Sequence, residues 1–546
     1  MHRIEHCRRL CSATLVLIAS GLPFGFLTDT TAWAAGYRGK LELQVVDKTT
    51  GEPLAVRMHL YDSKGKPVRP PKVPYWHDHF AFQGSITLDL PVGTYTFEIE
   101  RGPEYREQTG HFVLEKNAKD SKVVTMTRFV NMREEGWWSG DLHIHRPLNE
   151  IELLMDAEDL HIGPVITWWN DKNTWDQQAI PTQRVVEFGD KRFYELMAGE
   201  DEREGGALLY FGCREPLPLT GASREYPSPL EFLEQAKKST HRQAEQSIGD
   251  DSNSQPRSSG NAQAMPVHVD IEKPFWWDMP IWVASGLADS IGLANNHLHR
   301  SGMLMNEAWG KPRDKVFYPD PHGNGRWSQA IYYHLLNCGL RIPPSAGSAS
   351  GVLPNPVGYN RVYVHVDGEL TWEKWWEGMR AGRVVITNGP MLRPNVNGEL
   401  PGHVFEAAKG ETVELNIALN LAMREKVEYL EVVKDGKIVH EVRLDEWAKK
   451  NGELPPVKFD QSGWLMVRAV TNNTKTYRFA STGPYYVQIG AEPRISRESA
   501  QFFSDWVLER AKRVKLEDAS ERESVIRHHR MARDFWKGVL ERANSD

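Results

Sequence analysis

The 546-residue chain has little cysteine, no long apolar run beyond its first residues, no internal repeat of fixed period and only a small charge imbalance. Each absence excludes a class of protein. Of four cysteines, Cys7 and Cys11 lie in the N-terminal leader described below, which leaves Cys213 and Cys338. Two cysteines make neither a disulfide framework nor a cysteine-type zinc site. They form either a single bridge in an oxidising compartment or two buried thiols. The apolar run over residues 13–26 is shorter than the roughly 20 residues that span a bilayer, so no transmembrane segment is expected. A formal net charge of -7 argues against a polyanion surface, and nucleic acid is not an expected partner.

The chain does carry an N-terminal leader and a surplus of tryptophan. Arg3, Arg8 and Arg9 precede the apolar run, and Ala32-Trp33-Ala34 follows it as a small-x-small cleavage site. Residues 1–34 therefore read as a secretory signal peptide, and the mature chain is expected outside the cytoplasm, in a periplasm or secreted. Tryptophan occurs 19 times, including the adjacent pairs Trp137-Trp138, Trp168-Trp169, Trp276-Trp277 and Trp375-Trp376. All four pairs fall in the middle of the chain, and Trp137-Trp138 and Trp276-Trp277 lie close to histidines discussed below.

Periodicity divides the remainder. Residues 36–131 alternate apolar and polar positions between turn signals such as Thr50-Gly51-Glu52-Pro53, which predicts a β-sandwich. The turn and strand motifs resemble carboxypeptidase-regulatory-like domains. From 137 to 390 short strands alternate with helical segments, and the economical architecture is a distorted (β/α) barrel. Residues 245–263 are polar and read as an insertion in one of its loops. A second sandwich is expected over 391–491, and amphipathic helices over 495–546. The fold class is thus multi-domain: an α/β barrel flanked by N-terminal and C-terminal β-sandwich domains, with a C-terminal helical segment.

Three histidine pairs are spaced by one residue, against roughly 0.7 expected by chance, so context must separate them. In Gly140-Asp-Leu-His-Ile-His145 the period of two puts Asp141, His143 and His145 on one strand face. Two imidazoles then converge on a point, and the Asp141 carboxylate orients them from outside the coordination sphere. The strand ends at Arg146-Pro147, and barrel active sites sit at the carboxyl ends of strands. His143 and His145 are therefore the expected metal ligands. His77 and His79 lack that context and are expected in a surface turn. His297, ahead of His299, sits in a plausible site loop. His268 lies on an apolar strand with Asp270 and Glu272 on its face and is a further candidate ligand. The acidic run Glu200-Asp201-Glu202 is the best source of a bridging carboxylate.

These motifs resemble the CehA/McbA-type metallohydrolases of the polymerase-and-histidinol-phosphatase (PHP) superfamily over about residues 137–392. Gly140-Asp-Leu-His-Ile-His145 carries the resemblance, with Gly199-Glu-Asp201, the strand at His268, the run from Leu335 to Ser348, Arg361-Val-Tyr-Val364 and Gly382-Arg-Val-Val-Ile-Thr-Asn-Gly-Pro390. It implies a distorted (β/α)7 barrel, a cluster of divalent ions and hydrolysis of esters, carbamates or phosphoesters. The family register assigns the carboxylate ligand to Asp201, with Glu200 as its competitor. Two positions depart from the pattern: Gly205-Gly206 replaces a Gly-His pair, and Ala349 stands where an Asp ligand is usual. His143, His145, an acid at 200 or 201, His268 and His297 then hold one or two ions of zinc, manganese or iron.

Such a site hydrolyses a bond by activating water and polarising an electrophile. Glu200, Asp201 or Asp270 is the expected proton acceptor, and Arg300 or Arg341 the expected contact for an anionic group of a small-molecule or glycan-like substrate. The alternative is a barrel without catalysis that uses its aromatic residues to bind a glycan or a cell surface.

Overall fold

The computed structural model describes residues 37–238 and 265–546. The expected signal peptide and the polar segment 245–263 lie outside these residues.

Strand Arg38–Asp47 buries Leu41, Leu43 and Val45 and exposes the residues between them, as its alternation requires. It pairs antiparallel with Ser85–Pro91 and parallel with Lys119–Met126. A second sheet, ordered Tyr75–Trp76, His79–Gln83, Ala55–Asp62, Gly93–Glu100, Gln108–Leu114, packs against it. Leu43, Met58, Phe80, Phe82 and Ile99 fill the space between the two sheets.

The middle region is a closed barrel. Trp137–Gly140 pairs parallel with Ile162–Trp169, which pairs parallel with Arg192–Arg203. Gly206–Phe211, His268–Ile271, Ser290–Ala294 and Pro344–Ala346 follow in order. Closure comes at the histidine strand, where Ile144 bridges Val165 on one side and Ser350 on the other. Helices Ile151–Ala157, Met279–Ala284 and Gly323–Asn337 and the helical residues 229–238 connect these strands.

One stretch departs from a repeating βα plan. Gly206–Phe211 runs antiparallel to both neighbours. Only Glu204 and Gly205 separate it from the preceding strand, and a parallel crossover needs a dozen residues or more. Gly206 turns the chain at φ 123°, and a side chain there would run into Trp276. Gly205-Gly206 is thus the tip of a hairpin.

Past the barrel, Val384–Thr387 pairs with both Arg361–His365 and Phe479–Thr482, so one hydrogen-bonded sheet runs from the barrel into the C-terminal β domain. Met391–Val396, Val413–Ala422 and Glu453–Phe459 form the opposing sheet. Helices Arg497–Ala511 and Ala519–Glu541 close the chain against the barrel. Trp536 stacks on Phe503 with ring centroids 4.5 Å apart and donates its indole N–H to the Pro280 carbonyl at 2.8 Å. Arg510, buried, bonds Asp278 and Glu225 at 2.6 Å each. Cys213 and Cys338 are both buried and unbridged. Among the described residues no helix is long and apolar enough to cross a membrane.

The fully buried Glu195 makes a testable exception to good packing. Its Oε1 accepts the Gly212 N–H at 2.7 Å, but Oε2 has no hydrogen bond. Burial pushes its pKa up to about 8. The folded protein therefore keeps a proton that the unfolded chain releases near pH 4.5, and stability falls as pH rises from there to about 8. Glu195→Gln removes that loss, worth roughly 4 kcal/mol at pH 8. Thermal unfolding from pH 5 to 8 should show a flatter profile for the variant; superimposable profiles would refute the assignment.

Candidate metal centre

The site forms where three strands end. The histidine strand brings the Nε2 atoms of His143 and His145 to 3.0 Å. Arg192–Arg203 supplies Glu200, whose Oε2 lies 3.0 Å from His145 Nε2 and 3.4 Å from His143 Nε2. All three side chains are almost wholly withdrawn from solvent, and Glu200 Oε2 accepts no hydrogen bond. Donor atoms around a tetrahedral ion at 2.0–2.1 Å stand about 3.3 Å apart, so this buried triangle has the dimensions of one face of such a site. A divalent ion fits it.

The sequence offers Glu200-Asp201-Glu202 as the source of a bridging carboxylate without choosing among them. They belong to one strand, and consecutive side chains point to opposite faces. Glu200 joins the histidines, whereas Asp201 turns the other way and is bound by Arg203 through two bonds of 2.6 and 2.8 Å. Glu202 shares the face of Glu200. Burial and the Glu200 charge push its pKa up to about 7.

Behind the triangle stands Glu272, at the end of the strand that carries His268 and Asp270. Its Oε1 lies 3.5 Å from His143 Nδ1. Its Oε2 accepts the Trp276 indole N–H at 3.1 Å and pairs with Lys273. A carboxylate behind a ligating imidazole fixes the tautomer that leaves Nε2 free to coordinate. Burial opposes a charge on His143, but Glu200 and Glu272 outweigh it and raise its pKa to about 10. The same imidazoles, against the cost of burial, hold Glu200 well below the usual carboxylate range. Burial lowers His145.

Asp141 braces the whole arrangement. Its carboxylate accepts the N–H groups of His143 at 3.0 Å, Ser348 at 2.9 Å and Gly358 at 2.7 Å, and the Ser348 hydroxyl at 2.5 Å. Burial pushes its pKa up and the four donors oppose the shift. The segment Gly347–Ser350 lies against the histidine strand so closely that a Cβ on Gly347 would stand 2.5 Å from His143 Cβ. Ala349 in that segment is buried and left-handed, with φ 49°.

The other expected residues lie elsewhere. His268 bonds the Ser290 hydroxyl at 2.8 Å and packs on Trp376, and burial lowers its pKa to about 3. It sits four residues before Glu272 on the same strand face, roughly 13 Å along a strand. Asp270 accepts the hydroxyls of Ser290 and Ser345 at 2.5 Å each, and burial raises its pKa to about 7. His297 packs on Phe275 and is not within reach of the triangle. Arg300 is paired with Glu98 and Glu100 of the N-terminal domain, and Arg341 bonds Gln488 and covers Tyr486 in the C-terminal domain.

His77 is exposed in a turn, but His79 is buried, because its strand register puts it opposite His59. Asp78 lies 3.1 Å from His79 Nδ1 and 3.4 Å from His59 Nδ1. Arg57 contacts His59 Nε2. An arginine only donates, so His59 carries its proton on Nδ1, which faces Asp78 without a hydrogen bond; with His79 these residues also have the spacing of a candidate metal group.

Tryptophans border the metal centre as well as filling the core. The Trp169 ring lies 4.9 Å from that of His145, and Trp276 holds Glu272. Beside them, Trp169, Glu202, Ser223 and Trp309 line a cavity of about 350 Å³.

No family model and no curated protein matches the chain. Among solved structures, the Bacillus anthracis TIE protein aligns at 24% identity over 20% of this chain and 19% of that one, with a TM-score of 0.14. A Parabacteroides merdae β-glucuronidase aligns at 11% identity over 81% of this chain and 60% of that one, with a TM-score of 0.16. The chain thus spans about a fifth of the first and three fifths of the second. Superpositions this loose carry no argument about fold or activity.

Metal content separates Glu200 from its neighbours. Glu200→Gln should lose most bound divalent ion, and Glu272→Gln should weaken binding by about 10–100-fold. Asp201→Asn and His268→Ala should retain it. Elemental analysis with a metal titration decides; ion lost from Asp201→Asn but kept in Glu200→Gln would reverse the assignment.

Proposed function

We propose that this chain is an exported, divalent-metal-dependent hydrolase of the CehA/McbA type within the PHP superfamily, acting on an ester, carbamate or phosphoester. The observation that carries this reading is the buried triangle of His143, His145 and Glu200 at the carboxyl ends of barrel strands. The parallel strand pairings on both sides of the histidine segment support a barrel of this kind.

His143, His145 and Glu200 would hold a zinc, manganese or iron ion. When bound, such an ion supplies Lewis acidity and brings the pKa of water toward neutrality. The remaining work belongs to the chain. Glu272 keeps His143 in the ligating tautomer, and Asp141 keeps the histidine strand in place. Glu202, at the border of the cavity and poised to exchange a proton near neutral pH, serves as the general base. It takes the role expected of Glu200, Asp201 or Asp270: Glu200 faces the histidines, and the other two are bound to neighbours. Trp169 and Trp309 wall the substrate and exclude water from it. Neither Arg300 nor Arg341 borders this cavity; the arginines that do are Arg203, bound to Asp201, and Arg224, bound to Glu204. Most other tryptophans are packed in the core, which supports the hydrolase reading over the glycan-binding alternative.

The test is a panel of carboxylate, carbamate and phosphate esters offered to protein loaded with zinc, manganese or iron. Hydrolysis should require the ion, fall at least 10³-fold in Glu200→Gln, and fall about 10²–10⁴-fold in Glu202→Gln without loss of metal. Absence of turnover in every metal-loaded form would end the hydrolase reading. Ala349 offers a separate test of the family register. Its left-handed backbone tolerates Asp, so Ala349→Asp should tighten metal binding or add an ion; no change in affinity or stoichiometry would refute that register.

A further inference from the structure

Where the N-terminal domain, the barrel and the C-terminal domain meet, the structure encloses a cavity of about 70 Å³. One water needs about 10–15 Å³ by the same measure, so the space admits a tetrahedral oxyanion. Five arginines reach its wall: Arg57, Arg300, Arg361, Arg424 and Arg478. Four of them have carboxylate partners. Arg57, Arg300 and Arg424 share Glu100, and Arg478 pairs with Glu425.

Arg361 differs. It is 2% exposed, and it donates to two main-chain carbonyls, from Nε to Gly358 at 2.6 Å and from Nη2 to Glu158 at 3.3 Å. No carboxylate lies within ion-pair distance of it among the described residues. Its Nη1 is buried without a hydrogen bond, beside Gly102, which also lines the cavity. The nearby Tyr363 hydroxyl donates to Glu104 and also interacts with the Arg361 guanidinium. The Nε atoms of Arg424 and Arg478 are likewise buried and unbonded. A buried guanidinium with free donors is costly unless an anion meets it.

We propose that this junction is a binding site for inorganic phosphate, held by Arg361 together with Arg424 and Arg478. One further atom selects phosphate over other oxyanions. Glu425 Oε2 lines the same cavity, buried and without a hydrogen bond. A carboxylate repels sulfate, which has no proton, but accepts a hydrogen bond from monohydrogen phosphate. Because the three domains each contribute a wall, the bound ion would tie them together. The site is separate from the metal triangle and does not depend on the hydrolase reading.

The test uses the full chain in excess chelator, so that the metal centre cannot report. Calorimetric titration with sodium phosphate should show saturable binding, and sodium sulfate at matched ionic strength should bind at least tenfold more weakly. Arg361→Gln should weaken phosphate binding at least tenfold, and His143→Ala should leave it unchanged. If Arg361→Gln does not fold, Arg424→Gln carries the same expectation. No saturable phosphate binding to the wild type, sulfate binding as tight as phosphate, or full binding in the arginine variants overturns the proposal.

Discussion

The Asp141 carboxylate is the contact on which the central architecture depends. It lies inside the protein and accepts hydrogen bonds from His143, from the backbone and side chain of Ser348, and from Gly358. A bond to a charged group contributes roughly 1.5–3 kcal/mol, and a buried carboxylate stripped of its donors would cost more than that. Satisfying one side chain therefore requires three segments far apart in sequence to arrive together. The histidine strand closes the barrel at this point, through Ile144 and Ser350. Gly347 has to be glycine here because the strand comes too near for any side chain.

The same knot reaches the domain junction. Gly358 donates its N–H to Asp141 and offers its carbonyl to Arg361. Arg361 in turn touches the Glu158 carbonyl, while the Glu158 side chain pairs with Arg57 of the N-terminal sandwich. On the other side, Arg478 of the C-terminal domain donates to the carbonyl of Arg300, which is paired with Glu98 and Glu100. Charged groups this far from water are costly unless paired, so displacing one domain would strand several of them at once. That makes the relative placement of the three domains a consequence of electrostatics as much as of apolar packing.

What could be read beforehand followed from local periodicity. The period of two was enough to put His143 and His145 on one face, and the turn signals were enough to mark both sandwiches. Glu200 and Asp201 show where such reading stops. Alternation says that the two acids face opposite ways, but choosing between them needs the register of Arg192–Arg203 against its neighbours, and register is a tertiary property. Glu272 was visible as sharing a face with His268, yet which end of that strand meets the histidines depends on closure of the barrel. His79 was taken for a turn residue because its partner His59 lies on another strand. The hairpin at Gly205-Gly206 was legible in principle, since two residues cannot carry a crossover. Cys213 and Cys338 left two outcomes open because their separation in space has no local signature.

The charge balance around the triangle gives the strongest physical reason to expect a cation. Glu200, Glu202, Glu272 and Asp270 lie within electrostatic reach of His143, and Lys273 is the one lysine paired directly with them. A low-dielectric site does not tolerate that much uncompensated negative charge. Burial raises both Asp270 and Glu202 to about 7, and, against burial, the neighbouring carboxylates raise His143 to about 10. A divalent ion between His143, His145 and Glu200 offers compensation without occupying the carboxylates around it. It would release the His143 proton and leave Glu202 free to act at the cavity wall. The perturbed groups are thus linked: each sits in the same buried cluster and feels the charge of the others.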